Sequence, residues 1–155
     1  MVIAKNYKPL AKTTSEIPQV SIINDSVGMV VPFTLTDKNL RVINCFVNSY
    51  ETEAIVISDN ETSYIGEQKL IGLMRIGAIS KSNFEGNAEE ILQNNQVQDG
   101  AVINIENLRI GDISHENFRV LVRKDIDLPL TLGSDIIDIF GTCKIDDLQK
   151  QLIFK

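Results

Sequence analysis

The polar run Asn48-Ser49-Tyr50-Glu51-Thr52-Glu53 lies between two apolar runs, Leu40–Val47 and Ala54–Ser58. It brings together an amide, two hydroxyls, a phenol and two carboxylates. Two carboxylates held close together share one proton, because like charges drive their pKa values apart. Such a pair can divide the roles of general base and general acid. Glu51 and Glu53 flank Thr52, a spacing that fits a solvated loop face better than a reacting pair. Asp25, in Asn24-Asp25-Ser26-Val27-Gly28, precedes the first strand and reads as a turn residue.

Other chemistries have less to work with. The single histidine, His115, follows Gly111-Asp112 and reads as a surface residue of a turn. Cys45 and Cys143 both lie in apolar, strand-like runs and read as buried free thiols, with one disulfide as the alternative. One histidine and two distant cysteines make no zinc ligand set. Gly72 and Gly77 are not followed by the Lys-Ser/Thr of a phosphate loop, and nucleophile elbows and paired-histidine helices are absent. No metal or cofactor is expected.

A net charge of −6 disfavours nucleic acid and anionic membrane as partners. No run approaches the roughly 18 apolar residues of a membrane span. Lys5, Asn6, Lys8 and Lys12 break up the apolar stretch that a signal peptide needs, so a cytoplasmic location is expected.

At 155 residues the chain has the length of one domain with a substantial core. Residues 1–27, polar and holding Pro9 and Pro18, read as an arm or extended edge segment, and residues 28–155 as a β domain. Met29–Thr36, the turn Asp37-Lys38-Asn39 and Leu40–Val47 form a predicted hairpin, with Ala54–Ser58 as a third strand. Leu70–Ile79 is assigned to a strand. Asn83–Gly100, rich in Asn, Gln, Glu and Gly, is expected to hold a loop or a short helix (Ala88–Gln93). Ala101–Asp112 turns into Phe118–Val122 as a second hairpin. Ser134 is expected to cap a short helix through Ile139, ended by Gly141, before a last hairpin of Lys144–Asp146 and Gln151–Phe154. The class is mainly β with one short C-terminal helix, and the patterning alone admits a small barrel or a sandwich.

The C-terminal run Thr131-Leu132-Gly133-Ser134-Asp135-Ile136-Ile137-Asp138-Ile139-Phe140-Gly141-Thr142-Cys143-Lys144-Ile145-Asp146 narrows that choice. It resembles, without a gap, the Leu-Gly-x-Asp-x-Leu-x-x-Phe-Gly-x-x-x-Ile-Asp pattern that closes retropepsin-like aspartic proteases. Val31-Pro32-Phe33-Thr34-Leu35 with Leu40-Arg41-Val42-Ile43 is similar to that family's opening hairpin, and Ala101–Val122 to its second. The resemblance spans residues 28–155 and implies a closed acid-protease barrel, a homodimer, and a groove that holds an extended peptide.

In that family the catalytic aspartate follows the second strand, in an Asp-Thr/Ser-Gly triplet, and two such loops from two subunits face each other. Aligned on Phe46-Val47, this chain offers Asn48, Ser49, Tyr50 and Glu51 at that place and no aspartate. Tyr50 or Glu51 stands where the family needs a glycine. The resemblance with its triplet missing implies an inactive site, with Asn48, Ser49, Tyr50, Glu51 and Thr52 as candidate groove residues for a protein or extended peptide. Leu70–Ala78 is a weaker candidate. An active peptidase using Glu51 or Glu53, and a structural subunit reaching a neighbour through the 1–27 arm, are the alternatives.

Overall fold

The computed structural model describes residues 28–94, 96–124 and 129–155. The predicted arm at 1–27, and Asp25 with it, lies outside the described residues. The chain divides into Met1–Met29 with Lys155, and Val30–Phe154. The second unit, with the strand that enters it at Met29, carries the described elements.

The strands in chain order are β1 Met29–Pro32, β2 Thr34–Leu35, β3 Arg41–Val47, β4 Tyr50–Val56, β5 Tyr64–Gly66, β6 Leu92–Gln93, β7 Gln96–Val97, β8 Val102–Ile110, β9 Ile113–Arg123, β10 Leu130–Leu132, β11 Cys143–Asp146 and β12 Gln151–Phe154. The helices are α1 Glu67–Arg75, α2 Ala88–Ile91 and α3 Ser134–Phe140, with one turn of 3-10 helix at Lys81–Asn83.

Six strands run β3-β4-β10-β5-β9-β8, and β8 pairs back onto β3 through Phe46 with Arg109 and Val47 with Leu108, which closes a barrel. Closure removes free strand edges, and alternation along β3 and β8 sends Ile43, Cys45, Val47, Ile103, Ile105, Leu108 and Ile110 inward. The expected mainly β fold, its closed barrel and its C-terminal helix are therefore all present.

Two pairings are parallel. β10 runs parallel to β4, Leu130 beside Ala54 and Leu132 beside Val56, and β5 runs parallel to β9, Leu121 beside Tyr64. Strands paired in this way are buried on both faces, which is why Leu130, Thr131 and Leu132 show no polar alternation. β11 and β12 form the last hairpin and, with β1, a separate three-stranded sheet.

Three local expectations are corrected. Leu70–Ile79 is not a strand: Glu67–Arg75 is helical, with Leu70 and Leu73 buried and Gln68, Gly72 and Arg75 turned away from them. That is the three-to-four-residue period of a helix face, and Gly77 stops it at φ 87°. Ser134 is the first residue of α3, not its cap. Gly133 holds the cap position, with no side chain bonding the helix end. His115 lies within β9 instead of a turn, half-buried, its ring edge-on to Phe140 at 4.8 Å.

Candidate functional site

Asn48 and Ser49 are the two residues that turn β3 into β4. Both have positive φ, 48° and 76°, as a type I′ hairpin requires. The Asn48 side chain secures the turn from both ends: its amide donates to the Ala78 carbonyl at 2.9 Å, and its oxygen accepts from the Asn107 N–H at 2.9 Å. The backbone N–H of Asn48 donates to the Asn107 carbonyl at 2.8 Å.

Tyr50, Glu51, Thr52 and Glu53 are consequently the first residues of a strand and not part of an open loop. Glu51 and Glu53 are exposed and point to one side of β4, Tyr50 and Thr52 to the other. Thr52 is buried beside Cys45, and its hydroxyl has no hydrogen-bond partner among the described residues. Thus the five candidate groove residues form a hairpin tip and its first strand pairs, with outward-facing acids that do not converge. Of the weaker candidates, Leu70 and Leu73 face the core.

The loop after the second strand of this hairpin lies one strand later, at Ile57-Ser58-Asp59-Asn60-Glu61-Thr62, before Ser63 and β5. Parallel pairing of β4 with β10 brings it against the start of α3. The Ile57 N–H donates to the Leu132 carbonyl at 3.0 Å, and the Ser134 N–H to the Asn60 carbonyl at 2.7 Å. Ser63, fully buried, donates its hydroxyl to Asp135 Oδ1 at 2.5 Å and accepts from the Gly133 N–H at 2.8 Å. Its own N–H donates to Asp135 Oδ2 at 3.1 Å.

Gly133 is needed for this approach. A Cβ there would stand 2.6 Å from the Asn60 carbonyl oxygen and 3.1 Å from that of Thr62, both backbone atoms. The Leu-Gly pair of the closing motif and the serine at the end of the loop thus belong to one brace.

The first residue of this loop is Ile57, half-buried; its acids, Asp59 and Glu61, are exposed. A cleft of about 270 Å³ opens beside it, lined by Asn60, Glu61, Thr62, Tyr64, Leu121 and Arg123. Among the described residues no cluster of histidine, cysteine, aspartate and glutamate has the makings of a metal site. Both cysteines are free. Burial pushes the Cys45 thiol up to about 12, opposed in small part by Lys69. Burial and the nearby Asp138 raise that of Cys143, partly offset by Arg41. Neither thiol is set up as a nucleophile, since the thiolate is the reactive form.

Sequence reasoning missed the loop at residues 57–62. The signal for it is slight: Asn48 tolerates the left-handed backbone of a two-residue turn, and a turn there moves the end of the second strand from Val47 to Val56.

No protein-family model matches the chain, and no curated protein matches it by sequence. Among solved structures it is similar to the crystal structure of a retropepsin-like aspartic protease from Rickettsia conorii, at TM-score 0.53 and 17% identity, over 81% of this chain and 88% of that one. The retroviral protease-like domain of Ddi1 from Leishmania major aligns at TM-score 0.46 and 14% identity, over 81% of this chain and 92% of that one. At such identity the Rickettsia likeness establishes the fold alone. Among the described residues no helix is long and apolar enough to cross a membrane.

Proposed function

We propose that this chain, a retropepsin-like barrel, has no peptidase activity and serves to bind a protein or an extended peptide. The observation that carries the proposal is the composition of the loop after β4. The resemblance requires an aspartate immediately after the second hairpin strand, and that place is held by Ile57, whose N–H is tied to the Leu132 carbonyl. An isoleucine neither activates water nor protonates an amide, so a dyad made by two such loops would contain no shared proton.

The loop nevertheless keeps its brace to Gly133, Ser134 and Asp135. A loop held rigid with no acid at its head is suited to holding a ligand, because pre-ordered groups lose little freedom on binding. The cleft beside it offers Tyr64 and Leu121 as apolar contacts, with Asn60, Glu61, Thr62 and Arg123 to orient an extended backbone. The homodimer belongs to the same proposal. Among the described residues no strand pairs with the outer edge of β11, an edge available for strand addition by a second copy.

The test is a binding selection from a random-peptide display library on the full chain, together with sedimentation velocity. Peptides that lose binding to a Tyr64→Ala variant support the cleft as the site. Failure to recover any binder sensitive to that change removes the cleft from consideration.

A further inference from the structure

The cleft beside the braced loop does not end at Leu121. Strand β9 lies between β5 and β8, and Leu121 is the register partner of Tyr64 on one side and of Val102 on the other. Register partners share a face of the sheet. All three side chains are half-buried on the outside of the barrel, while Ile65, Val122 and Ile103, the next residues along each strand, are buried on the inside. The result is one apolar row, Tyr64–Leu121–Val102, crossing three strands. At about 4.8 Å between strands it spans about 10 Å, the length of about three residues of extended chain.

Each end of the row opens into a cleft. Tyr64 and Leu121 line the one of about 270 Å³ beside the loop, and Val102 lines a second of about 390 Å³, together with Glu85, Glu90, Ile91 and Asp99. Charge tells the two clefts apart. The first has Glu61 and Arg123 in its lining, one of each sign. The second has three acids and, among the described residues, no lysine or arginine. Glu85 is taken by Arg119, at 2.6 and 2.9 Å, and one oxygen of Asp99 accepts from the Lys124 N–H at 2.9 Å. Glu90 is exposed and has no ion pair among the described residues. Lys124 lines an adjoining cleft with Glu90, and Glu89 stands next to Glu90 on α2. With Arg119 and Lys124 set against Glu85, Glu89, Glu90 and Asp99, this end of the row keeps an excess of acid.

We infer that the peptide of the proposed function lies across the strands along Tyr64, Leu121 and Val102, and carries a lysine or arginine that ends in the second cleft beside Glu90 and Asp99. The inference rests on the proposed function and names its ligand class, an extended segment of apolar side chains followed by a basic one. The row supplies apolar contact with no charge to desolvate, and the cation at its end fixes the direction in which the segment lies.

The experiment extends the display selection on the full chain. Recovered binders are made as synthetic peptides and titrated against the unaltered protein, Tyr64→Ala and Glu90→Lys, the last of which changes an exposed side chain; circular dichroism checks that each variant is folded. The expected peptides carry a lysine or arginine after their apolar residues and weaken about tenfold on Glu90→Lys as well as on Tyr64→Ala. They regain affinity for Glu90→Lys when their basic residue is replaced by glutamate. Peptides that respond to Tyr64→Ala, lack a basic residue and ignore Glu90→Lys overturn the inference and leave the first cleft as the site. Basic peptides that respond to Glu90→Lys and not to Tyr64→Ala also overturn it, because the two clefts then bind separately. No peptide binding at all removes the proposed function, and the inference with it.

Discussion

The two ends of strand β4 show opposite treatments of a turn. At its start, Asn48 and Ser49 reverse the chain in two residues of left-handed backbone, and the next residue, Tyr50, is left partly in solvent. At its end, Ile57–Thr62 make a longer excursion that is clamped to Leu132, Gly133, Ser134 and Asp135. The first turn is two left-handed residues pinned through Asn48 alone, to Ala78 and Asn107; the second is held at several points along its length, by Leu132, Gly133, Ser134 and Asp135. Such long-range bracing fixes the shape of a loop that has no acid at its head.

The sharpest way to break this contrast is at Gly133. Gly133→Ala forces a Cβ against backbone carbonyls that have no rotamer to escape into, and a loss of about 3 kcal/mol in urea unfolding is expected. A near-neutral result would mean that the loop is free to shift and is not clamped. Ser63→Ala removes the hydroxyl that joins Asp135 to the Gly133 N–H and leaves that buried donor unpaired. A loss of about 2 kcal/mol is expected by the same measurement.

Strand β3, which pairs along β4, carries a buried thiol opposite Thr52. Unfolded, Cys45 ionises above 9.0; folded, it keeps its proton up to about 12. Above pH 9.0 the unfolded state therefore sheds a proton that the folded state retains, and rising pH favours unfolding; below 9.0 both states are protonated and no dependence arises. The slope tends toward about 1.4 kcal/mol per pH unit within that window. Cys45→Ala should remove this slope, read as the difference between the two proteins' stability curves. The smallest effect is expected at the exposed turn. Ser49→Gly relieves a left-handed serine at φ 76° and should stabilise by about 1 kcal/mol in thermal or urea unfolding. A loss instead would show that Ser49 makes a contact worth more than its backbone strain.

The barrel is legible in the sequence because its information is local and periodic. Alternation in Val102–Ile105 and Phe118–Val122, and the spacing of Leu132-Gly133, Phe140-Gly141 and Ile145-Asp146, each survive without knowledge of the rest of the chain. The helix at Glu67–Arg75 is not legible. Gly72 within it, Gly77 just beyond it, and the β-branched Ile71 and Ile76 lower helix propensity, and burial of Leu70 and Leu73 against the barrel outweighs that.

The position of the loop is hidden for a different reason. Phe46-Val47 reads as the end of a second strand because β2, only two residues long, has the sequence texture of a full hairpin partner. The real partner of β3 is β4, and what fixes the loop Ile57–Ser63 in place is the parallel pairing with residues more than seventy positions away. No single stretch of sequence carries that pairing.

The central claim is that a loop begun by Ile57 does not hydrolyse peptides. It is tested most directly by incubating the full chain with a diverse peptide library between about pH 3.5 and 7.5, the range in which paired carboxylates share a proton, with and without a statine-type inhibitor. The account predicts no inhibitor-sensitive cleavage at any pH. Cleavage that the inhibitor blocks, and that disappears in Asp59→Asn, Glu51→Gln or Glu53→Gln at unchanged stability, would contradict it.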